Sequence, residues 1–471
     1  MKVRKSVYEL DDDTLYWYSK AVEHLKARDI NDPTSWWYLA AVHGYYNLPP
    51  SVTYWQEATG YPPSQSTISS GYWMRCQHGT WYFLPWHRMY LYYFERIVAD
   101  AVLQEGGPAD WALPYWNYCD AVNPDIDTQA QSKALTMPSG FGDANGPNSS
   151  SPGLWIRGRR NYVLNKLNVN PWPAMNELLF TNDSSGTNFG GGVTGFSHFG
   201  NETGQVESLP HNVIHNNIGG AMADPNTAAL DPIFWLHHAN IDRLWQIWQL
   251  QTGRANPMAS QWRDFTFKFH DVGAVPVTMK VKEVETTQHL NYTYSQGYPA
   301  ISATQPTSPP LSHFALDVVG ASLQQSAGDK NSPSFNLDMV PKSERNASLA
   351  KKSAPSEARK KTLIKVSNVT GKGDVPPLNV YINSGNETPE GTRNFVSCIG
   401  LFGLADASYP TLDHDGSGLS FVIDATDVVE TLRRRDNWDE ENISIQLVPQ
   451  ESLPEGADYH VGRVSLHSEI D

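Results

Sequence analysis

The sequence predicts a mainly α-helical domain built on a four-helix bundle, followed by an all-β C-terminal domain with a sandwich fold. Helix-start and helix-stop signals are concentrated before residue 260, and short alternating segments follow it. A segment rich in proline and serine separates the two parts. We therefore expect a first domain at 1–297, a linker at 298–312 and a C-terminal domain at 313–471.

The helices are predicted from their capping residues. Asp32 and Asp231 are typical N-caps, and each precedes a proline suited to the first helical position. The predicted spans are 33–43, 85–104, 210–218 and 232–251. Residues 121–208 are rich in Gly, Asn, Ser and Pro, which predicts long loops of the kind that often form functional surfaces.

The strands are predicted from alternation of apolar and polar residues. Before the linker, this pattern occurs at 265–269, 275–281 and 290–294. After the linker, it occurs at 363–366, 378–382, 419–423 and 443–448. Several short strands divided by turns favour an antiparallel sandwich in this part of the chain.

Composition excludes several classes of protein. The chain has 471 residues with 35 Lys and Arg against 50 Asp and Glu, so its net charge of −15 argues against nucleic-acid or membrane partners. Apolar residues make up 40%, enough for a sizeable core. Three cysteines do not form a disulfide framework, and no secretory signal is visible, so we expect a cytoplasmic protein.

Histidines are the most informative residues. His211 and His215 are spaced to lie on one face of a helix. His237 and His238 lie in an apolar helix, where imidazoles are costly unless they have partners, and helical phase does not choose between them. His78 can meet His87 only if it precedes the helix that carries His87.

The donor set of these clusters indicates a metal. With His43, which ends an aromatic helix, and with one of His237 and His238, six histidines are candidates and few acids lie among them. Imidazoles suit copper, zinc or iron, and the lack of thiolates or several carboxylates favours copper. The chain has no Glu-x-x-His and no His-Glu-x-x-His motif, which argues against a di-iron carboxylate site and a zinc hydrolase.

Two long motifs carry a family resemblance. Residues 78–95 read His-x4-Phe-Leu-Pro-Trp-His-Arg-x2-Leu-x3-Glu and resemble the copper-A signature of tyrosinases and polyphenol oxidases, which are type-3 dicopper proteins. Residues 231–242 read Asp-Pro-x-Phe-Trp-x2-His-x3-Asp and resemble the copper-B signature. The resemblance continues in Tyr-Thr-Tyr at 292–294 and in segments 378–383 and 443–449.

This resemblance implies a catalytic domain whose helix bundle holds two copper ions. Copper A is then held by His43, His78 and His87, and copper B by His211, His215 and His238. The second signature selects His238 over His237, and His24 is an alternative to His43.

The resemblance also implies an enzyme with O₂ as co-substrate and small phenols as substrates. It would hydroxylate monophenols to o-diphenols and oxidise o-diphenols to o-quinones. A catechol oxidase without the first activity and a haemocyanin-like O₂ carrier are the alternatives, and a metal-free structural protein is a third.

Further site residues follow from the resemblance. Glu207 and Asn212 resemble a pair that holds a water acting as base, with Glu202 as the alternative to Glu207. Asn216, which follows His215, is in the position that shapes the cavity entrance in the resembling proteins, and a solvated helix residue is the alternative. Phe234, with Phe83 and Trp86, is expected to line the cavity, although core packing is an equal alternative.

Cys76 and Phe402 complete the expected site. Relatives with Cys-x-His at 76–78 carry a thioether from that sulfur to the imidazole, here Cys76 to His78, and a free thiol is the alternative. In the resembling proenzymes the C-terminal domain covers the cavity and inserts one side chain, for which Phe402 is the candidate and Leu401 the second choice. We therefore expect this domain to act as an intramolecular inhibitor until it is removed.

Overall fold

The protein is described by a computed structural model. It describes residues 1–10, 13–45, 52–55, 63–141, 151–181, 186–195, 202–295, 297–300, 316–322, 332–341, 361–384, 394–410, 415–434 and 439–469. We refer to residues 1–300 as the N-terminal part and to 316–469 as the C-terminal region. From position 301 onward, the predicted linker lies outside the described residues.

The N-terminal part is mainly helical. Its α-helices are Asp13–Lys26, Trp36–His43, Val52–Trp55, Gln65–Ile68, Phe83–Gln104, Thr128–Leu135, Trp172–Met175, Val213–Ile218, Pro232–Leu250 and Ser260–Arg263, and Glu207–Asn212 is a π-helical turn. Short 3₁₀ turns lie at Tyr118–Val122, Ser139–Phe141, Pro152–Leu154, Lys166–Val169, Gly220–Ala223, Ala228–Leu230, Val272–Ala274, Val281–Glu283 and Thr287–Leu290. Within the described residues, no helix combines the length and apolar character needed to cross a bilayer.

Two helix starts differ from their predictions. The second helix is capped by Ser35, whose hydroxyl accepts from Tyr38 N, so the predicted start at Pro33 was wrong. Asp32 instead closes the preceding turn by accepting from Thr34 N at 2.8 Å. The helix expected to begin at Pro85 begins at Phe83. Pro85 therefore lies in the first turn, where a proline is tolerated because the amide it lacks would have no intrahelical acceptor.

Of the other two predicted helices, the one at 232–251 has the predicted cap and the one at 210–218 follows a kink. Asp231 caps helix Pro232–Leu250 by accepting from Ile233 N, as predicted. The segment predicted as one helix over 210–218 is a π-helical turn followed by an α-helix, with non-helical backbone at Leu209. Residues 210–218 lie in this turn and this helix, so the kink falls one residue before the predicted start at Pro210.

A buried charge network joins the two long helices. Asp242 accepts from Arg88 Nε at 2.5 Å and from Tyr294 Oη at 2.6 Å. Arg4 donates to Glu95 at 2.6 Å and also to Tyr294, from a strand Lys2–Arg4 that pairs in parallel with Tyr292–Tyr294. Opposite charges offset one another in this network, so helices Phe83–Gln104 and Pro232–Leu250 are held in one relative position.

The C-terminal region is rich in sheet. The strands of the N-terminal part are Lys2–Arg4, Thr266–Asp271, Val275–Lys280 and Tyr292–Tyr294; those of the C-terminal region are Leu316–Ser322, Ser334–Asn336, Asp338–Met339, Thr362–Lys372, Leu378–Ser384, Phe395–Ile399, Leu419–Asp424, Ile443–Pro449 and Asp458–Glu469. Helices Leu404–Ser408 and Thr426–Arg434 accompany them.

The strands of the C-terminal region form two antiparallel sheets. The four-stranded sheet has the order 395–399, 378–384, 443–449 and 334–336, and the five-stranded sheet has the order 419–424, 362–372, 458–469, 316–322 and 338–339. Residues of both sheets, such as Ile382 and Val464, belong to one buried apolar cluster. The predicted strands at 363–366, 378–382, 419–423 and 443–448 are confirmed.

Polar contacts join the C-terminal region to the N-terminal part. Gln205 Nε2 donates to Val422 O at 3.0 Å, and Gln450 Nε2 donates to Asn168 Oδ1 at 2.7 Å. Asn226 Nδ2 donates to Asp406 Oδ2 at 2.8 Å. These contacts place one end of the C-terminal region against the loops that surround the histidine clusters.

Candidate metal centre

One group of histidines lies where the π-helical turn meets helix Pro232–Leu250. The ligand atoms of His211, His215, His237 and His238 all lie within 4.8 Å of one another, and all four residues are buried. His238 Nε2 is 3.3 Å from both His211 Nε2 and His215 Nε2. Three ring nitrogens thus converge at one point.

Carbonyl oxygens orient these rings. Nδ1 of His215 donates to Met222 O at 2.7 Å, and Nδ1 of His211 donates to Asn212 Oδ1 at 2.8 Å. Because a carbonyl oxygen only accepts, the proton of each ring is on Nδ1 and a lone pair remains on Nε2. Such hydrogen bonds at the second nitrogen are typical of metal-binding histidines.

A second group faces the first. The ring centroids of His43, His78 and His87 lie 5.2, 5.5 and 5.6 Å apart. Nδ1 of His43 donates to Pro225 O, and Nδ1 of His87 donates to Phe83 O, each at 2.8 Å. His78 precedes helix Phe83–Gln104, as its convergence with His87 requires.

The two groups are adjacent. The rings of His87 and His238 stack with centroids 4.4 Å apart and an interplanar angle of 12°. Those of His78 and His211 lie 5.9 Å apart. Six imidazoles from four separate stretches of chain therefore surround one buried space, three from each side.

The chemistry of the donors fits metal ions. Burial lowers the pKa of His211 to about 3 and the pKa values of His87, His215 and His238 well below the usual value, so these rings are neutral ligands. Within the part of the chain that the structure describes, buried His87 Nε2 has no hydrogen-bond partner. A buried nitrogen without a partner is costly unless it binds a cation.

His237 lies beside this centre, although the resemblance selects His238 and not His237 as a ligand. Its Nδ1 is hydrogen-bonded to Tyr118 Oη at 3.1 Å, and its ring lies 5.3 Å from that of His211. Its neighbour His238 instead contacts both groups of histidines, through the ring of His87 and through Nε2 of His211. The apolar helix indicates that both histidines need partners. The structure gives His237 Nδ1 the Tyr118 hydroxyl and places His238 Nε2 near two other ring nitrogens, whereas His237 Nε2 and His238 Nδ1 have no hydrogen-bond partner among the described residues.

His24, the alternative to His43, lies outside the centre. Its Nδ1 is 2.7 Å from Glu105 Oε1, and its side chain is 26% exposed. His43 is fully buried. The structure therefore brings His43, and not His24, to the other histidines.

Cys76 lies next to His78. Its sulfur is 3.4 Å from His78 Nδ1, and the thiol is buried. Burial raises the pKa of this thiol well above its usual value. The sulfur and the ring are thus neighbours in a dry environment.

Glu207 is buried beside the residue that follows His78, whereas Glu202 is exposed. Both carboxylate oxygens of Glu207 accept from Gly79 N, at 2.9 and 3.0 Å, and burial raises its pKa to about 8. Glu202 contacts Gly79 only through its backbone and is exposed. Asn212 joins the same site through its hydrogen bond with His211.

Aromatic rings enclose the histidines. The Phe234 ring lies 4.1 Å from that of His238, and Phe83 lies 4.7 Å from His211. Trp86 lies 4.7 Å from His87. These rings border the site and at the same time belong to the main apolar cluster, so the two predicted roles do not exclude each other.

Phe402 of the C-terminal region enters this enclosure. Its ring stacks on His215 with centroids 4.0 Å apart and lies 5.4 Å from His78. Leu401, the second choice, belongs to the apolar cluster between the sheets. Gly400 allows the approach, since a Cβ there would lie 2.4 Å from the backbone carbon of Asn212.

Fold and site together define a protein with a buried cluster of histidines suited to metal ions, which a sheet-rich C-terminal region contacts. Residues 33–251 match the family model described as the common central domain of tyrosinase, and residues 315–469 match a domain of unknown function. Tyrosinase HcTyr1 of Hahella sp. (strain CCB-MM4) is 58% identical over 472 residues, with full coverage of both chains. The chain belongs to the tyrosinase and polyphenol oxidase family.

More distant relatives agree with this assignment. Polyphenol oxidase A1 of Vicia faba is 29% identical over 314 residues, which cover 62% of this chain and 47% of that protein, so the chain spans about half the plant relative. The structure of latent apple tyrosinase has a TM-score of 0.61 at 21% identity, covering 100% of this chain and 97% of the other. Latent aurone synthase has a TM-score of 0.60 at 18% identity, covering 100% and 89%.

Membership makes the protein an enzyme of the tyrosinase and polyphenol oxidase type. The family is a dicopper family whose activity is copper-dependent oxidation of phenols, and the histidine clusters of this chain suit metal ions.

Proposed function

We propose that the protein uses O₂ to hydroxylate monophenols to o-diphenols and to oxidise o-diphenols to o-quinones, and that its C-terminal region keeps it latent. The contact of Phe402 with His215 carries the latency, because the ring occupies space beside the histidines that a phenol would need. Family membership supports the oxidation of phenols.

The proposed ligands are two groups of three histidines. His43, His78 and His87 hold copper A, and His211, His215 and His238 hold copper B, a division supported by the ring distances. Bound copper supplies the two-electron chemistry with O₂. The chain orients the ligand rings through their Nδ1 hydrogen bonds, and the surrounding aromatic rings exclude water.

Glu207 and Asn212 are proposed to manage the phenol proton. A monophenol must lose its proton before it binds to a metal, and a water held between a carboxylate and an amide is a suitable base. Glu207 is buried beside the centre, and Asn212 adjoins His211. Asn216 and Phe234 are proposed to contact the substrate, Asn216 at the entrance and Phe234 beside His238.

Several finer features belong to the same proposal. We propose a four-helix bundle around the copper ions, a sandwich of the two C-terminal sheets, and domains at 1–297 and 313–471. A thioether between Cys76 and His78 is supported by their 3.4 Å contact. Such a bond would hold a ligand that lies on a loop and has no helix to fix it.

Copper content, an absorption spectrum of the copper-loaded protein with added peroxide, and assays before and after limited proteolysis near 298–312 test this proposal. We expect about two copper ions per chain, the absorption of a coupled copper pair, and higher activity after cleavage. Equal activity before and after cleavage would contradict latency. Oxidation of catechol but not of a monophenol would indicate a catechol oxidase, and O₂ binding without either would indicate an oxygen carrier.

A further inference from the structure

Arg160 lies where the C-terminal region meets the helix that carries His215. Its backbone N–H donates to Ile218 O at 2.7 Å, and its Nη2 donates to Asn216 O. The side chain is 18% exposed. The guanidinium is therefore fixed at the C-terminal end of helix Val213–Ile218, close to a ligand of the proposed copper B.

Two carboxylates of the C-terminal region pair with this guanidinium. Asp374 Oδ2 lies 2.8 Å from Arg160 Nη1, and Glu451 Oε2 lies 3.3 Å from Arg160 Nε. Among the described residues, the N-terminal part contributes no ion pair to Arg160. If the C-terminal region moves away, Arg160 therefore loses both carboxylates while its backbone contacts within the N-terminal part remain.

The C-terminal region brings both an aromatic ring and a carboxylate into contact with the N-terminal part. Phe402 stacks on His215, and Asp374 pairs with Arg160. Arg160 in turn donates a hydrogen bond to the backbone oxygen of Asn216, the residue after His215. A phenol with an acidic side chain presents the same two groups. We propose that Arg160 determines specificity by binding the carboxylate of acidic phenols once the C-terminal region has left the cavity, an inference that rests on the proposed function.

Arginine is suited to this task. Its planar guanidinium binds a carboxylate through two charge-assisted hydrogen bonds, which are stronger than neutral ones. The same charge repels an ammonium group, so a phenol with a basic side chain is disfavoured. If Arg160 served only to dock the C-terminal region, its loss would not change the preference between acidic and neutral phenols.

The test uses the copper-loaded full chain with Phe402→Ala, Asp374→Asn and Glu451→Gln, which together remove the ring beside His215 and the two carboxylate charges that pair with Arg160. We compare kcat/KM for 3-(4-hydroxyphenyl)propanoate, p-cresol and tyramine. We expect the acid to be preferred over p-cresol. Adding Arg160→Gln is expected to lower kcat/KM for the acid by about 10- to 100-fold through KM, with p-cresol little changed. Arg160→Lys is expected to retain part of the preference.

Arg157→Gln is the matched control, because Arg157 is an exposed arginine three residues earlier in the chain. It is expected to leave the acid-to-cresol ratio unchanged. A ratio that Arg160→Gln also leaves unchanged overturns the inference. Failure to oxidise p-cresol at all would instead count against the proposed function.

A binding measurement tests Arg160 without any oxidation. Calorimetric titration of the metal-free triple variant with 3-phenylpropanoate and with 3-phenylpropylamine is expected to show binding of the acid only, and Arg160→Gln is expected to abolish it. Circular dichroism checks that each variant is folded. Equal binding of the acid with and without Arg160 in folded protein would overturn the inference.

Discussion

At the scale of the residue, the hydrogen bonds at Nδ1 decide what each imidazole does. His43, His87 and His215 each donate to a backbone carbonyl, so their Nε2 atoms are fixed as acceptors or metal ligands. His237 differs because its Nδ1 is hydrogen-bonded to a tyrosine hydroxyl, and its ring lies 5.3 Å from that of His211.

This difference predicts unequal effects on copper content. His215→Ala removes one of three converging nitrogens and is expected to lower bound copper from about two ions to about one per chain. His237→Ala is expected to retain both ions. Mass spectrometry under non-denaturing conditions measures the copper content. Loss of copper from His237→Ala alone would show that the proposed ligand set is incorrect.

Substitution of Glu207 is expected to affect monophenol oxidation and o-diphenol oxidation unequally. Glu207→Gln keeps an acceptor for Gly79 N–H but has no carboxylate to take a proton. Monophenol oxidation is expected to fall by about 100-fold or more, whereas o-diphenol oxidation is largely retained. Steady-state rates with p-cresol and catechol measure this effect. Glu202→Gln is the control, since that side chain is exposed; an equal loss on both substrates would contradict the role.

At the scale of the element, the two long helices depend on buried charge. Arg88 and Asp242 are 0% and 3% exposed, and Asp242 lies one turn after His238. Asp242→Ala leaves Arg88 buried with its main partner removed, and is expected to lower the free energy of unfolding by about 3–5 kcal/mol.

Denaturant unfolding of the full chain measures this loss. The matched control is Arg96→Ala, which breaks the Arg96–Asp271 pair, where the arginine side chain is 44% exposed. The control is expected to cost less than about 1 kcal/mol. Equal losses for the buried and the exposed pair would contradict the structural role of Asp242.

The turn that carries Phe402 depends on Gly400. A Cβ at this position would lie 2.4 Å from the backbone carbon of Asn212, so Gly400→Ala is expected to displace the turn and raise the activity of the uncleaved chain several-fold. Gly195→Ala is the control, because its added Cβ would meet no atom within 4 Å. A catechol assay without proteolysis gives the result, and unchanged activity would argue against Phe402 as the plug.

At the scale of the whole molecule, we expect the contact between the N-terminal part and the C-terminal region to depend on pH. Asp406 of the C-terminal region shares the Asn226 amide with Asp224 of the N-terminal part. Burial, followed by the charge of Asp224, raises the pKa of Asp406 to about 7. Burial also raises the pKa of Asp374, which faces Arg160.

A raised carboxyl pKa means that the docked form binds the proton more tightly than the undocked form. Docking is therefore strongest at low pH and weakens as the pH rises from the usual carboxyl range to about 7, above which it stays constant. As the pH rises to about 7, the activity of the uncleaved chain is therefore expected to increase as a fraction of the activity after cleavage. Asp406→Asn is expected to reduce that rise; an unchanged profile would contradict the role of Asp406.

Much of the fold and the centre followed from local sequence. The i,i+4 spacing of His211 and His215 and the Asp231 cap are short-range features whose geometry is set by one helical turn. Strand alternation in the C-terminal region likewise needs only neighbouring residues. Strand Asp458–Glu469 was missed because its sequence alternates weakly, and it forms through pairing with Thr362–Lys372 on one side and Leu316–Ser322 on the other.

The sequence by itself determined the histidine-rich helices, the family and the choice of copper as the expected metal. Only the tertiary structure decided that His43 rather than His24 joins the other rings, that the Glu207 carboxylate is buried against Gly79 N, and that Phe402 stacks on His215. The physical reason is distance along the chain. Spacing and capping act within a few residues, whereas these contacts join segments far apart in sequence, whose meeting depends on the packing of the whole molecule.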